Sequence, residues 1–360
     1  MRRRLVVVVG GLVALALVAG AAVVAYRVVT APEGDLVRAA EVSPASSQRL
    51  SFTDWAGVRE EVGADVDADS PGSVVTRFLD DAFASDLTST SAMVSSAAGL
   101  QDSFGLSPAT VGWEGFSQSA DGQVVALGVE DDDAEALAGT LDDLGYTAPS
   151  ADDGVWDGGA DLLARVDPTI SAVFGYVVVL ADQGLVLTSD SRGYLDTARD
   201  AALGDEPSMA EEVGDAVGAV SDGVAPLAAA VATAEWACVE LGTSRTDPEA
   251  QATSERLVDA AVAEGGDVDP ITAFAMAEMT GGGVRTALSF ETEDQARDNA
   301  DPRARLASGP ATGQGGSFRT RFALDSVVAD GRTVVLEMDP RPRQLLLSDL
   351  SSGPLLFATC

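Results

Sequence analysis

From Leu5 to Tyr26 the chain runs without a single charge, and Met1-Arg2-Arg3-Arg4 precedes the run. At 1.5 Å per residue a helix over that stretch reaches about 33 Å, enough to cross a hydrocarbon core of about 30 Å. The arginine cluster ahead of it favours a cytoplasmic N-terminus, which places everything after Val28 outside the cytoplasm. A cleaved signal peptide is the competing reading, because Ala19-Gly20-Ala21 has the small-x-small pattern of a cleavage site. The retained anchor is favoured. The run exceeds the roughly 7–15 residues of a signal core and continues past that site through Val23, Val24 and Ala25. A lipid anchor is excluded, since no Cys follows the apolar run and the two cysteines are Cys238 and Cys360.

Beyond residues 1–30, the membrane anchor, a chain of 360 residues still holds enough length for one large or two medium domains with real cores. At 46% hydrophobic residues it should fold despite 57 acidic side chains. The net charge of −35 repels nucleic acid and anionic headgroups. All 22 basic residues are Arg, and Asn occurs once, at Asn299. With Ala, Val, Asp and Gly dominant, this pattern fits the codon bias of a GC-rich genome, so the acidity is read as a host-wide trait that keeps the protein soluble.

Residues 31–50, with Pro32 and Pro44, read as a polar tether. Thr53 is expected to cap a short helix carrying Trp55, Val58 and Val62, and a second helix follows Ser73 with Val74, Phe78, Leu79 and Ala82 on one face. Ser91 to Phe104 reads as a third, weaker one. Period-2 patterns then predict strands over Val111–Ser119 and Gln123–Val129 around Ala120-Asp121-Gly122. Glu130 to Asp133 opens a helix ending at Gly145, and strands over Ala172–Leu180 and Leu185–Ser189 lead to a helix capped by Asp190. Ser208 and Glu211 have capping-box spacing for a helix within a linking segment, residues 206–225. Pro226 leads into a strand through Trp236 and Cys238, and Asp247-Pro248 starts another helix.

The second half replays this order. Ala126–Asp133 and Ala287–Asp294 each run from a strand into an acidic helix start, 161 residues apart, and the hairpin around Ala181-Asp182 resembles the one around Ala329-Asp330, where the offset is 148. The expected fold is therefore α+β: an N-terminal transmembrane helix, then two related α+β subdomains with antiparallel sheets, residues 51–205 and 226–360.

Without His, the commonest general base, the Ser-His-Asp triad and most zinc sites are unavailable. Without Lys, no Walker lysine, Schiff base or Ser-x-x-Lys nucleophile can exist. Carboxylate chemistry and calcium held by oxygens remain. Asp65-x-Asp67-x-Asp69 copies the start of an EF-hand loop but places Ser70 where Gly is wanted and Thr76 where the closing Glu belongs, so it reads as an acidic loop capping the next helix. Thr280–Gly283 and Gly309–Ser317 are glycine-rich without phosphate-loop spacing and read as flexible connections. Trp55, Trp113 and Trp236 are expected in the core, whereas Trp156, flanked by Gly154 and Gly158-Gly159, is the candidate exposed contact. No catalytic residue, cofactor or metal site is assigned. Cys238 and Cys360 are expected to form a disulfide, with Pro354–Thr359 docking as a strand beside Trp236.

Ser51-Phe52-Thr53-Asp54-Trp55-Ala56-Gly57-Val58-Arg59, the Val111–Phe116 segment with Gly112-Trp113, and the Tyr176–Thr188 hairpin resemble uncharacterised exported proteins of actinobacteria over about residues 50–200. The resemblance implies one N-terminal anchor and an extracytoplasmic α+β region, and no known substrate or catalytic residue.

These observations converge on a non-enzymatic binding or scaffolding module, tethered to the membrane by its N-terminal helix, whose partner is an envelope component or protein rather than nucleic acid. The alternative is a carboxylate-dependent hydrolase acting on envelope polysaccharide. With residues 1–4 cytoplasmic and residues after 30 outside, protease added to intact, wall-stripped cells should digest the region after the apolar run. Full protection of that region would refute the orientation.

Overall fold

Leu50 and Phe52 alternate with Arg49, Ser51 and Thr53, and this short period-2 stretch forms strand β1 (Arg49–Thr53) with Leu50 and Phe52 buried on one face. The computed structural model describes residues 34–360. The apolar run over residues 5–26 lies outside them, and among the described residues no helix is long and apolar enough to cross a membrane. Helix α1 (Asp35–Glu41) precedes β1, and α2 (Trp55–Glu61), α3 (Gly72–Ala84) and α4 (Ala97–Phe104) come after it. The hairpin β2 (Trp113–Gln118) and β3 (Gln123–Gly128) leads into α5 (Asp131–Leu144), the short strand β4 (Trp156–Asp157) and α6 (Gly159–Val166). A second hairpin, β5 (Tyr176–Leu180) and β6 (Leu185–Ser189), ends the first half with α7 (Arg192–Leu203). The second half runs α8 (Ala210–Ser221), β7 (Pro226–Thr233), α9 (Pro248–Ala263), β8 (Ala273–Met279), β9 (Val284–Ser289), α10 (Glu293–Ala307), β10 (Phe322–Asp330), β11 (Thr333–Pro340) and α11 (Leu346–Leu350).

All eleven strands join one antiparallel sheet in the order β10-β11-β9-β8-β7-β1-β2-β3-β6-β5-β4. Outward from the β1–β7 ladder, β1-β2-β3-β6-β5 on one side matches β7-β8-β9-β11-β10 on the other, with a helix between the third strand and the outer hairpin in each half. Strands β3 and β9 start at Gln123 and Val284, 161 residues apart, and β6 and β11 start at Leu185 and Thr333, 148 apart. Those are the two spacings of the sequence repeat.

Helices cover both faces of the sheet. One core cluster gathers Trp55, Phe78, Leu137, Phe274, Phe290 and Leu347, and the other gathers Leu36, Phe52, Leu187, Leu195, Val213 and Val217 from α1, α7, α8 and the strands beneath them. The halves differ at their ends. After β6 the chain forms α7 on the second face, whereas after β11 it forms α11 on the first, with Leu346, Leu347 and Leu350 buried there. Among the described residues, the second face of β10 and β11 forms a groove beside α8, with Val328 54% exposed.

Several expectations need correction. The tether does not extend to residue 50: α1 buries Leu36, Ala39 and Ala40, and β1 occupies the centre of the sheet. Helix α1 lies so close to β2 that a Cβ added at Gly115 would come within 2.9 Å of the Ala39 Cβ, so glycine is needed for that approach. The strands of the two halves belong to one sheet, because the β1–β7 ladder joins them, and residues Leu36–Cys360 cluster as one compact unit. The segment 206–225 is more than a link, as α8 buries Val213, Ala216, Val217 and Val220 against β7, β8 and β9. Strand β7 stops at Thr233, and Trp236 and Cys238 sit in the helical stretch beyond it. The run Ala234-Glu235-Trp236-Ala237 carries helix-favouring residues, and local propensity wins once the strand ends. Pro354–Thr359 contains a 3₁₀ turn, Leu356–Ala358, instead of a strand. Both edges of β7 are already paired, with β1 and β8, so no ladder is open to it beside Trp236. Smaller differences concern caps: Asp54 caps α2, Ser191 caps α7, and Met209 precedes α8 without a side-chain cap.

The C-terminal segment is fixed by two independent devices. Cys238 and Cys360 are joined as a disulfide with Cα atoms 5.4 Å apart. Arg303 of α10 is fully buried and donates to the carbonyls of Phe357, Thr359 and Asp269 and to Asn299 Oδ1. Burial pushes its guanidinium down to about 10, so it remains charged at neutral pH. Arg303→Ala leaves those acceptors unmet and should cost about 3–5 kcal/mol in denaturant unfolding. The disulfide closes a loop with a sequence separation of 122, worth about 5 kcal/mol in the chain-entropy model. Cys238→Ser with Cys360→Ser should therefore lower the unfolding midpoint, and an unchanged midpoint would contradict it.

Candidate functional site

Two glutamates point into the same buried side of the sheet, and their surroundings are opposite. Glu114 on β2 is fully buried and accepts from Trp55 Nε1 at 3.0 Å, Ser91 Oγ at 2.6 Å, and the backbone N–H groups of Ala92 at 2.6 Å and Met93 at 3.2 Å. Burial raises its pKa and those four donors oppose the rise. This carboxyl is structural: it satisfies the loop before α4 and the Trp55 indole. Glu278, near the end of β8, is only 5% exposed, yet among the described residues nothing donates a hydrogen bond to it. Its oxygens are not among the fully enclosed unpartnered polar atoms, so they open onto the space beside them.

Glu278 lines a cavity of about 370 Å³ walled by the end of α2, the segment after α3, the β8–β9 turn and the loop from β11 to α11. That volume is in the range of small-ligand sites. Leu87, Leu227 and Leu346 supply apolar wall, Glu61 and Asp86 add carboxyls, and Arg341 and Arg343 stand on the β11–α11 loop. The β8–β9 turn passes Gly281 and Gly282 at φ of 84° and 87°, a left-handed backbone open to glycine, and the Gly281 N–H donates to Glu61 Oε1 at 3.2 Å. Among the described residues, Asp86 and Arg343 are the non-glycine residues with positive φ, at 63° and 70°, and both line this cavity. Such backbone strain persists where surrounding structure enforces it, often at functional sites.

The three carboxyls have different freedom. Asp86 is held by Ser348, whose backbone N–H lies 3.2 and 3.1 Å from its two oxygens and whose hydroxyl also donates to it. Its pKa is raised by burial, against those hydrogen bonds. Glu61 is exposed at the rim. Glu278 is pushed up to about 8, first by burial and then by the neighbouring charges of Asp86 and Glu61. At neutral pH it is mostly protonated, a carboxylic acid facing the cavity.

Trp156 falls in β4 at the sheet edge, paired with Val177, half-buried and packed against the first core cluster, so it is a packing residue of an edge strand instead of a loop contact. Trp55 and Trp113 are buried, and half-buried Trp236 carries the Arg49 guanidinium 4.7 Å above its ring. The Asp65–Asp69 loop folds on itself, with Asp67 accepting from Asp69 N–H and Ser70 Oγ, and it does not cap α3, whose N-cap is Pro71. Among the described residues no three acidic or sulfur ligands converge as a metal ion requires. Sequence reasoning missed Glu278, and it assigned Thr280–Gly283 a merely flexible role. The available signal was a lone acid in the apolar strand Ala273–Met279, beside three consecutive glycines.

No protein-family model matches this chain, and no curated protein matches it. A solved structure, crystal form I of TP0453, aligns over 87% of this chain and 96% of its own at 7% identity, with a TM-score of 0.35, a likeness too slight to carry an argument.

The raised Glu278 pKa makes stability depend on pH. The folded state binds the proton more tightly than the unfolded chain, where the ordinary value is 4.5. The stabilisation from that proton is complete below about pH 4.5 and is lost as pH rises through about 8. At about 1.4 kcal/mol per pKa unit, the loss approaches roughly 5 kcal/mol above that range. Glu278→Gln should therefore match the parent protein at pH 5 and melt at a higher temperature at pH 9. Equal melting temperatures at pH 9 would show that Glu278 ionises freely. Glu114→Ala, by contrast, strands four donors and should cost about 3–5 kcal/mol at either pH.

Proposed function

We propose that this protein is a non-enzymatic binding or scaffolding module of the cell envelope, tethered by its N-terminal apolar segment and built from two related α+β subdomains fused through the β1–β7 ladder. Its ligand site is the Glu278 cavity. The observation that carries this reading is the division of labour between the carboxyls: Glu278 is unpartnered, while Asp86 spends its oxygens on Ser348. A glycosidase needs two carboxyls free to act on opposite sides of one bond. The extracytoplasmic location rests on the charge and apolar pattern of residues 1–30, and an oxidising compartment suits the Cys238–Cys360 bond.

A carboxylate-dependent hydrolase of envelope polysaccharide is the second reading. What favours it is Glu278 itself, since a buried carboxyl held protonated at neutral pH is suited to general acid work. Incubating the protein with soluble envelope fragments separates the two. A binding module should retain fragments whose masses are unchanged after release. New reducing ends that vanish in Glu278→Gln would establish the hydrolase instead.

A further inference from the structure

The Glu278 cavity also shows an imbalance at its mouth. Among the described residues eight arginines form ion pairs with acids, and the two at this cavity are not among them. Arg341 and Arg343 are exposed, line the cavity, and their side chains make no hydrogen bond or ion pair among the described residues. One cavity is thus lined by a carboxyl without a hydrogen-bond partner from the sheet and by two residues of the β11–α11 loop whose guanidinium groups are also without one. Leu87, Leu227 and Leu346 add apolar wall to the same cavity.

We infer that the cavity receives a zwitterion: a protonated nitrogen on an aliphatic stem reaches Glu278, and the ligand's own carboxylate is met at the mouth by Arg341 and Arg343. The inference rests on the binding reading above and names its ligand class. A metal ion is a poor occupant, because Asp86 is engaged by Ser348 and no three acidic ligands converge among the described residues. A simple anion would meet Glu278, Asp86 and Glu61. A neutral polyol could share hydrogen bonds with the protonated Glu278 but would use neither the charge of Arg341 nor that of Arg343. A cationic head gives Glu278 a counter-charge once its proton leaves, and the aliphatic stem suits the leucine walls.

The charge arrangement makes binding proton-linked. Glu278 faces Asp86 from the segment after α3 and Glu61 from α2, Asp349 of α11 acts on Asp86, and Arg341 and Arg343 approach from the loop. At pH 6.5 Glu278 carries its proton, and a cationic head favours the carboxylate, so the ligand should displace that proton to solvent.

The test is calorimetric titration of the full chain, in detergent, at pH 6.5 with three small molecules, in two buffers of different ionisation enthalpy. Nα-acetyl-lysine carries both charges on an aliphatic stem, pentylamine carries only the ammonium, and Nα-acetyl-norleucine only the carboxylate. Nα-acetyl-lysine should bind at least about tenfold more tightly than either single-charge analogue and release close to one proton per ligand. Glu278→Gln should weaken it at least about tenfold and abolish the release. Arg341→Ser with Arg343→Ser should bring its affinity down to that of pentylamine with the release intact, both variants keeping the parent circular dichroism and a cooperative melt. Equal affinity for pentylamine, or unchanged binding in Glu278→Gln, would overturn the zwitterion. If none of the three binds while envelope fragments are still retained intact, the ligand class is wrong and the binding module stands. If the fragments are not retained either, both fall together.

Discussion

Everything in this molecule hangs on the ladder between β1 and β7. Arg49–Thr53 pairs with Ala228–Ala232, and each strand carries its own half of the sheet on its other edge. Each half alone would present a long unpaired inner edge, which invites association with other chains. Pairing the two edges satisfies both rows of backbone groups and makes one sheet of eleven strands. The small residues Ala228, Ala229, Ala230 and Ala232 let the chain cross this crowded centre with helices above and below.

The same fusion builds the cavity. Its walls come from α2 and the segment after α3 in the first half, and from the β8–β9 turn and the β11–α11 loop in the second. The bond from Ser348 to Asp86 joins residues separated by 262 positions and holds α11 on the first face of the sheet. Because the chain places α11 there, the described residues include no counterpart of α7 on the opposite face, and the two halves diverge where the cavity forms. Glu114 and Glu278 carry the chemical consequence of that divergence. Local loops saturate the first, and the second faces a space that the displaced elements enclose.

Much of the architecture was legible because it is periodic. The hairpins, α5 and the repeat spacings come from apolar alternation and acidic helix starts, features that local sequence carries. Strand β1 was hidden for the opposite reason: Leu50 and Phe52 are its whole apolar signal, and its strand character depends on partners near residues 116 and 230. The segment with Trp236 and Cys238 reads equally as strand or helix, and β7 ran out of ladder there. Pro354–Thr359 is apolar enough for a strand, but every inner edge was already taken.

Composition by itself determined which chemistry is out of reach: a chain without His or Lys cannot use the bases and nucleophiles those residues provide. It also determined the charge, a sum over residues, and the order of neighbouring residues determined the α+β pattern. Tertiary structure decided which of 57 carboxyls is different. Glu278 in sequence is one acid among many. Its pKa and its want of a partner come from burial and from Asp86 and Glu61, which the fold brings from about 190 and 220 residues away. Electrostatic character depends on distance through space and on solvent exclusion, and neither is written in the order of residues along the chain.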